Sequence, residues 1–202
     1  MGRRPLCSGS DSGSSHSDTS LTLRVKHLSS PQRRPPRPLA EVLAYRNDEV
    51  VFRFQKLFRL SFREASALFT EVRRWLWALA RARVDKDAPR LAVYAHMFFM
   101  DEMWHNFALF TKEYYLFCDK FLGGYIHHLP MTRAEQERLK AKHKKNPTAT
   151  ANRMEREKLE QCNFIYHELG EKTLKKWYSE FPKRYTPDFV NSRRRPLGHA
   201  GT

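Results

Sequence analysis

Polar side chains interrupt an otherwise apolar stretch that runs from His96 to His105 (HMFFMDEMWH). If this stretch is helical, Asp101 and His105 lie four residues apart on one face, and Glu102 lies three residues before His105. Carboxylate oxygens and imidazole nitrogens are ligands that zinc and iron accept in proteins. A Glu-x-x-His pair also occurs in di-iron helix bundles, but the second copy that such bundles need is missing from the chain, as is an HExxH zinc motif.

Further candidate ligands follow about one helix later, at Cys118, His127 and His128. Gly123-Gly124 end the intervening helix and can turn the chain so that one of the two histidines folds back toward His105. We therefore expect a central polar pocket that binds a divalent metal, zinc or iron, or a small ligand, with ligand candidates His96, Asp101, Glu102, His105, Cys118, His127 and His128. The alternative is a buried hydrogen-bonded network with a structural role.

The same stretch carries a motif of known type. The residues that form it are Asp101-x-x-Trp104-His105, Phe107, Thr111, Tyr114, Phe117-Cys118, Phe121, Gly123, His128 and Pro130. This pattern resembles the helical domain of the glycine-rich domain-containing protein-like family of plants and bacteria. The resemblance implies that His128 closes the motif and faces His105. It implies no reaction, and catalytic residues stay unassigned; Asn106 and Ala108 stand where plant members often carry another histidine.

Positive charge is unevenly distributed along the chain, whose formal net charge is +15. Residues 1–38 carry seven Lys and Arg against two Asp, residues 39–130 carry 13 against 11 acids, and residues 131–202 carry 17 against nine. Basic surfaces attract phosphate, although most are simply solvated. The second hypothesis is therefore a non-enzymatic interaction module that contacts nucleic acid or an acidic protein partner, with candidate residues Lys140, Lys142, Lys144 and Lys145.

The hydrophobic periodicity predicts an all-α fold, a compact multi-helix domain behind a disordered basic Ser/Pro-rich tail. We place the tail and a proline-rich linker at residues 1–38, the helical domain at 39–190 and a frayed basic C-terminus at 191–202. Expected features are a helix from Pro38 toward Phe58, capping boxes at Ser61 and Thr132, a cap at Thr111, and a long helix from Thr150 that stops at Gly170.

The packing prediction concerns one core that joins three helices. It should contain Trp75, Leu76, Trp104, Phe107, Phe117 and Phe121, because their spacing selects one face of each helix.

No apolar run approaches the roughly 20 residues of a membrane helix, and no secretory signal is recognisable. Three cysteines without a CxxC pair favour reduced thiols, so we expect a cytoplasmic protein without membrane contact.

Overall fold

The computed structural model describes residues 34–129 and 131–196, and 76% of these residues are helical. The helices are α1 (Leu39–Ala44), α2 (Asp48–Leu57), α3 (Phe62–Val84), α4 (Phe98–Ala108), α5 (Thr111–Leu122), α6 (Arg133–Lys145), α7 (Pro147–Lys175), α8 (Phe181–Arg184) and α9 (Pro187–Arg193). A 3₁₀ turn at Ala95–Met97 leads into α4, and a π-helical turn at Lys176–Glu180 joins α7 to α8. The described part of the chain contains no β-strand, which confirms the all-α fold.

Two helices begin at the capping boxes that the sequence predicts. At the start of α3, the Glu64 amide donates to the Ser61 hydroxyl over 3.2 Å, and the Ser61 amide donates to the Glu64 carboxylate over 3.0 Å. Thr132 and Glu135 repeat this exchange at the start of α6. Each box satisfies amides that the first turn of a helix leaves without partners, and it therefore fixes where the helix starts.

The core forms where α3, α4 and α5 meet, as predicted. Trp75, Leu76, Trp104, Phe107 and Phe117 are each at most 5% exposed, and Phe121 is partly buried against them. Burying side chains of this size is the main source of stability for a domain of this length. The three central helices are therefore held firmly relative to one another, and α4 carries the candidate site.

The first predicted helix is wrong in one respect, because the chain breaks it into α1 and α2. Tyr45 lies in the break, where its ring packs against Phe69, Phe107, Phe117 and Phe121. The buried guanidinium of Arg73 donates to the carbonyls of Leu43 and Tyr45, which have no helical partner there. Asn47 then caps α2 by accepting from the Val50 amide. Tertiary contacts thus override the continuous helical pattern.

The end of the proline-rich linker is also more ordered than expected. Most of the predicted tail lies outside the described residues, but residues 34–38 run along α5 and α3. The Arg37 amide donates to the Phe121 carbonyl over 2.8 Å, the Trp77 indole donates to the Arg37 carbonyl over 2.9 Å, and Arg34 pairs with Asp119 over 2.6 Å. The predicted disorder to residue 38 is therefore wrong for these five residues.

The remaining corrections concern helix ends. Thr111 is the first residue of α5 and makes no side-chain cap. Helix α7 begins at Pro147 and continues past Gly170, whose φ of 80° interrupts it, to Lys175. The predicted fraying is wrong for residues 191–196, because backbone hydrogen bonds join Arg59 to Arg193 over 2.7 Å and Arg195 to Leu57 over 2.9 Å. Residues 197–202 lie outside the described part of the chain.

Candidate metal centre

A tight turn after α5 brings the histidine segment back to α4. Gly123 ends α5 with a φ of 71°, a left-handed conformation that glycine adopts without steric cost. A Cβ atom at this position would lie 2.0 Å from the carbonyl oxygen of Arg34, so the linker passes too closely for any side chain. Residues 125–129 then run without helical structure.

Two buried hydrogen bonds in series fasten this returning segment to α4. The Trp104 indole donates to the Tyr114 hydroxyl over 2.9 Å, and that hydroxyl donates to the Ile126 carbonyl over 2.7 Å. Burial raises the pKa of Tyr114 well above its usual value, so the phenol stays protonated and remains a donor. Because all three groups are buried, the position of Ile126, and with it that of His128, is fixed relative to Trp104.

Asp101, His105 and His128 converge at the solvent edge of this junction. Nε2 of His128 lies 3.0 Å from Oδ1 of Asp101, and Nδ1 of His105 lies 3.8 Å from Oδ2. One potential ligand atom from each of the three residues lies within 4.8 Å of the others. The imidazole rings of His105 and His128 stack with their centroids 4.1 Å apart. The Trp104 ring packs against the His128 ring, and these two centroids are 3.9 Å apart. We call these three residues the Asp–His cluster.

The dimensions of the Asp–His cluster are close to those of a metal centre. Donor atoms bound at about 2.1 Å to one ion lie roughly 3.0–3.4 Å apart in octahedral or tetrahedral geometry. The pair of His128 and Asp101 already fits this separation. The largest spacing, 4.8 Å, would have to shorten, and the side chain of His105, 48% exposed, has room to rotate. The arrangement can hold a divalent cation, and without one it is a hydrogen-bonded pair with a stacked ring.

The structure places the other four predicted ligands elsewhere, so the seven-residue pocket does not form. His127 is exposed and turns its ring toward Tyr125, with centroids 4.8 Å apart. Its neighbour His128 points inward because side chains alternate along an extended segment. Glu102 faces Arg194, 4.0 Å away, on another side of α4.

Cys118 and His96 are not among the residues whose potential ligand atoms converge. Cys118 is fully buried beside Tyr114, and burial raises the pKa of its thiol to about 11, which disfavours the thiolate needed for metal binding or nucleophilic attack. His96 stacks on Tyr94 and meets the edge of Tyr178. Burial and the nearby Lys158 lower the pKa of His96, so it is a neutral packing residue.

The hydrogen-bonding role of Tyr114 escaped the sequence analysis. The motif contains both Trp104 and Tyr114, but nothing in their spacing shows that they share one hydroxyl. The sequence did contain one indication of this role. Trp carries an indole N–H and Tyr a hydroxyl, and these groups need hydrogen-bond partners when the rings are buried.

The basic candidates form a separate feature. Lys140, Lys142, Lys144 and Lys145 lie in the second half of α6, where every residue is exposed. They are far along the chain from Asp101 and His105, and they contribute nothing to the Asp–His cluster.

Fold and site together define a helical domain with a two-histidine, one-carboxylate cluster between α4 and the segment that follows α5. The sequence model of a family described as UCP032817-like matches residues 52–165, which include the whole cluster. The chain belongs to this UCP032817-like family. No curated protein and no solved structure matches the chain. Among the described residues, no helix combines the length and the apolar character needed to cross a bilayer.

Proposed function

We propose that this protein binds one divalent metal ion, zinc or iron, through Asp101, His105 and His128. The observation that carries the proposal is the convergence of one carboxylate and two imidazoles, with one donor atom of each within 4.8 Å of the others. The two chain segments involved are more than 20 residues apart in sequence, so helical periodicity alone does not bring them together. Convergence this close favours an ion over a larger organic ligand.

The donor set determines what such an ion could do. Two histidines and one carboxylate are the protein ligands of several catalytic zinc sites and of the facial triad that holds non-haem iron. Three protein ligands leave at least one coordination position for water or a substrate oxygen. Because Asp101 and His105 are 30% and 48% exposed, such a position would be open to solvent. A metal here would act as a Lewis acid or would activate a bound water.

A structural role for the same residues is the competing explanation. The hydrogen bond between His128 and Asp101 could simply hold the segment 125–129 against α4. The two explanations differ in what each residue contributes. A structural bond needs only His128 and Asp101, whereas a metal centre also needs His105, which is half exposed and lies 3.8 Å from the carboxylate.

Metal content of purified variants tests the proposal. We expect about one equivalent of zinc or iron in the wild-type protein by elemental analysis, and a loss of at least about tenfold in metal affinity in Asp101→Asn, His105→Ala and His128→Ala. His127→Ala is the matched control, because His127 is the neighbouring exposed histidine. It should retain the wild-type metal content. All four variants should keep the helix content in circular dichroism.

Two results would contradict the metal proposal. One is a wild-type protein that takes up neither zinc nor iron(II) after dialysis against each ion. The other is a His105→Ala variant that binds metal like the wild type while Asp101→Asn and His128→Ala unfold. That second pattern would identify a structural hydrogen bond.

The resemblance to the glycine-rich domain-containing protein-like family is likewise a proposal. It is supported by the fact that its motif residues Asp101, His105 and His128 are the ones that meet, and that Trp104 and Tyr114 hold them in place. A structure of a plant member should show the same five side chains in contact.

A cytoplasmic location is also proposed, and fractionation of cells that express a tagged chain would test it.

A further inference from the structure

The turn between α6 and α7 carries a concentrated positive charge. Residues 138–156 include seven Lys and Arg but one acidic residue, Glu155. All 13 residues of α6 are exposed, and the first half of α7 is exposed at most positions. We call residues 138–156 the basic hairpin. Its charge is therefore presented to solvent and is not neutralised by acidic groups within it.

Three of these cations surround one depression. Lys142 and Lys145 on α6 and Arg153 on α7 line a hollow of about 420 Å³, together with Asn146, Ala149 and Thr150. No acidic side chain lines it, although Arg153 also forms an ion pair with Glu157, 3.5 Å away and one turn further along α7. Asn146 accepts from the Ala149 amide and Thr150 donates to the Lys142 carbonyl, so two side-chain hydrogen bonds support the turn. Three cations around an open depression form a surface to which phosphate groups can bind.

The amino-acid composition of the basic hairpin favours one class of negatively charged partner over the others. Protein interfaces are rich in aromatic residues and poor in lysine at their centre, and the basic hairpin contains four lysines and no Phe, Tyr or Trp. A membrane-surface helix needs an apolar face, and α6 has only Leu139 among its larger apolar residues. Single-stranded nucleic acids are bound by stacking on aromatic rings, which the basic hairpin lacks. A double helix, recognised through its phosphates, fits all three observations.

We propose that the basic hairpin docks on the phosphate backbone of double-stranded RNA. Lys142, Lys145 and Arg153 contact successive phosphates, since lysine and arginine are the usual phosphate ligands of proteins. RNA is the chosen duplex because the hollow also offers the Asn146 amide group and the Thr150 hydroxyl oxygen. These groups can bond to 2′-hydroxyls, through which proteins distinguish RNA from DNA. The binding does not depend on base sequence.

Fluorescence anisotropy with a labelled RNA duplex of about 20 base pairs and the full chain tests this surface. The triple variant Lys142→Gln, Lys145→Gln, Arg153→Gln should bind at least about tenfold more weakly at about 50 mM salt. Its logarithmic salt slope should be smaller by about three, because three phosphates are no longer neutralised by the protein. The matched control is Lys112→Gln, Lys172→Gln, Lys175→Gln, which removes the same charge from exposed positions elsewhere and should bind within about twofold of the wild type.

Three outcomes would overturn the proposal. Equal weakening in both triple variants would show that net charge alone attracts RNA. Equal affinity for RNA and DNA duplexes would remove the assignment to RNA. Binding of polyglutamate in place of RNA, abolished in the hairpin variant, would identify an acidic protein partner. If the triple variant melts at a lower temperature than the wild type, the double variant Lys142→Gln, Lys145→Gln replaces it, because both of these side chains are exposed.

Discussion

At the scale of single residues, the hydroxyl of Tyr114 connects the two chain segments that form the Asp–His cluster. Tyr114 is fully buried, and its hydroxyl both accepts from the Trp104 indole and donates to the Ile126 carbonyl. Removing the oxygen would leave a buried donor and a buried acceptor without partners, and such groups are costly in a low-dielectric interior. His128 lies only two residues beyond Ile126, so this one oxygen also positions a member of the Asp–His cluster.

Replacing Tyr114 with Phe measures that role. We expect the free energy of unfolding in urea to fall by about 1–3 kcal/mol, because the ring still fills its space while two polar groups lose their partner. Tyr115→Phe is the control, since Tyr115 is exposed and should change stability by less than about 0.5 kcal/mol. Equal stability of the two variants would mean that the Tyr114 hydroxyl contributes nothing to the stability of the fold.

At the scale of elements, the features predicted correctly are those with local causes. The Ser61 and Thr132 boxes and the Gly123 stop depend on neighbours within four residues, so the sequence alone reveals them. The break between α1 and α2 depends on Tyr45 meeting rings from α3, α4 and α5, which no local pattern shows. The turn at Gly123 predicts that one of the two histidines folds back, and the family resemblance selects His128. The positions of Cys118 and His96 depend on packing that no local pattern shows.

Gly123 couples the linker to the turn before His128, and Gly123→Ala tests this coupling. The added methyl would collide with the Arg34 carbonyl, so the linker must move away from α5. We expect hydrogen exchange of the Arg37 amide, which donates to the Phe121 carbonyl, to become at least about tenfold faster in NMR measurements.

Gly170→Ala is the control for backbone strain in this experiment. Gly170 also has a positive φ, 80°, but a methyl group there would meet nothing within 4 Å. This variant should lose about 1–3 kcal/mol of stability through strain, yet its Arg37 amide should exchange at the wild-type rate once global unfolding is subtracted. A slow Arg37 amide in Gly123→Ala would refute the coupling.

At the scale of the whole molecule, the helical core around α3 and the basic hairpin differ in how they are stabilised. Helix α3 buries ten of its 23 residues, and the candidate metal centre lies on α4, which packs against it. Helix α6 buries none of its residues and relies on its capping box, the ion pair of Arg133 with Glu137 and its packing on α7. The sequence predicted a helix that begins at the Thr132 capping box and carries the four candidate lysines. A charged helix of this kind can also lie flat on a domain with its aliphatic stems buried. Only the structure therefore shows that every residue of α6 is exposed.

This contrast predicts an uneven pattern of hydrogen exchange across the chain. Amides in the centre of α3 should exchange only through global unfolding, because opening that helix exposes the core. Amides of α6 should exchange through local opening, faster by a factor of about 100 or more, because fraying of α6 exposes no buried side chain. Mass spectrometry of peptides that cover residues 62–84 and 133–145 measures both rates. Double-stranded RNA, added in excess, should slow exchange in residues 133–145 and leave exchange in residues 62–84 unchanged. Equal protection of the two helices in the free protein would mean that α6 is held by contacts beyond those with α7.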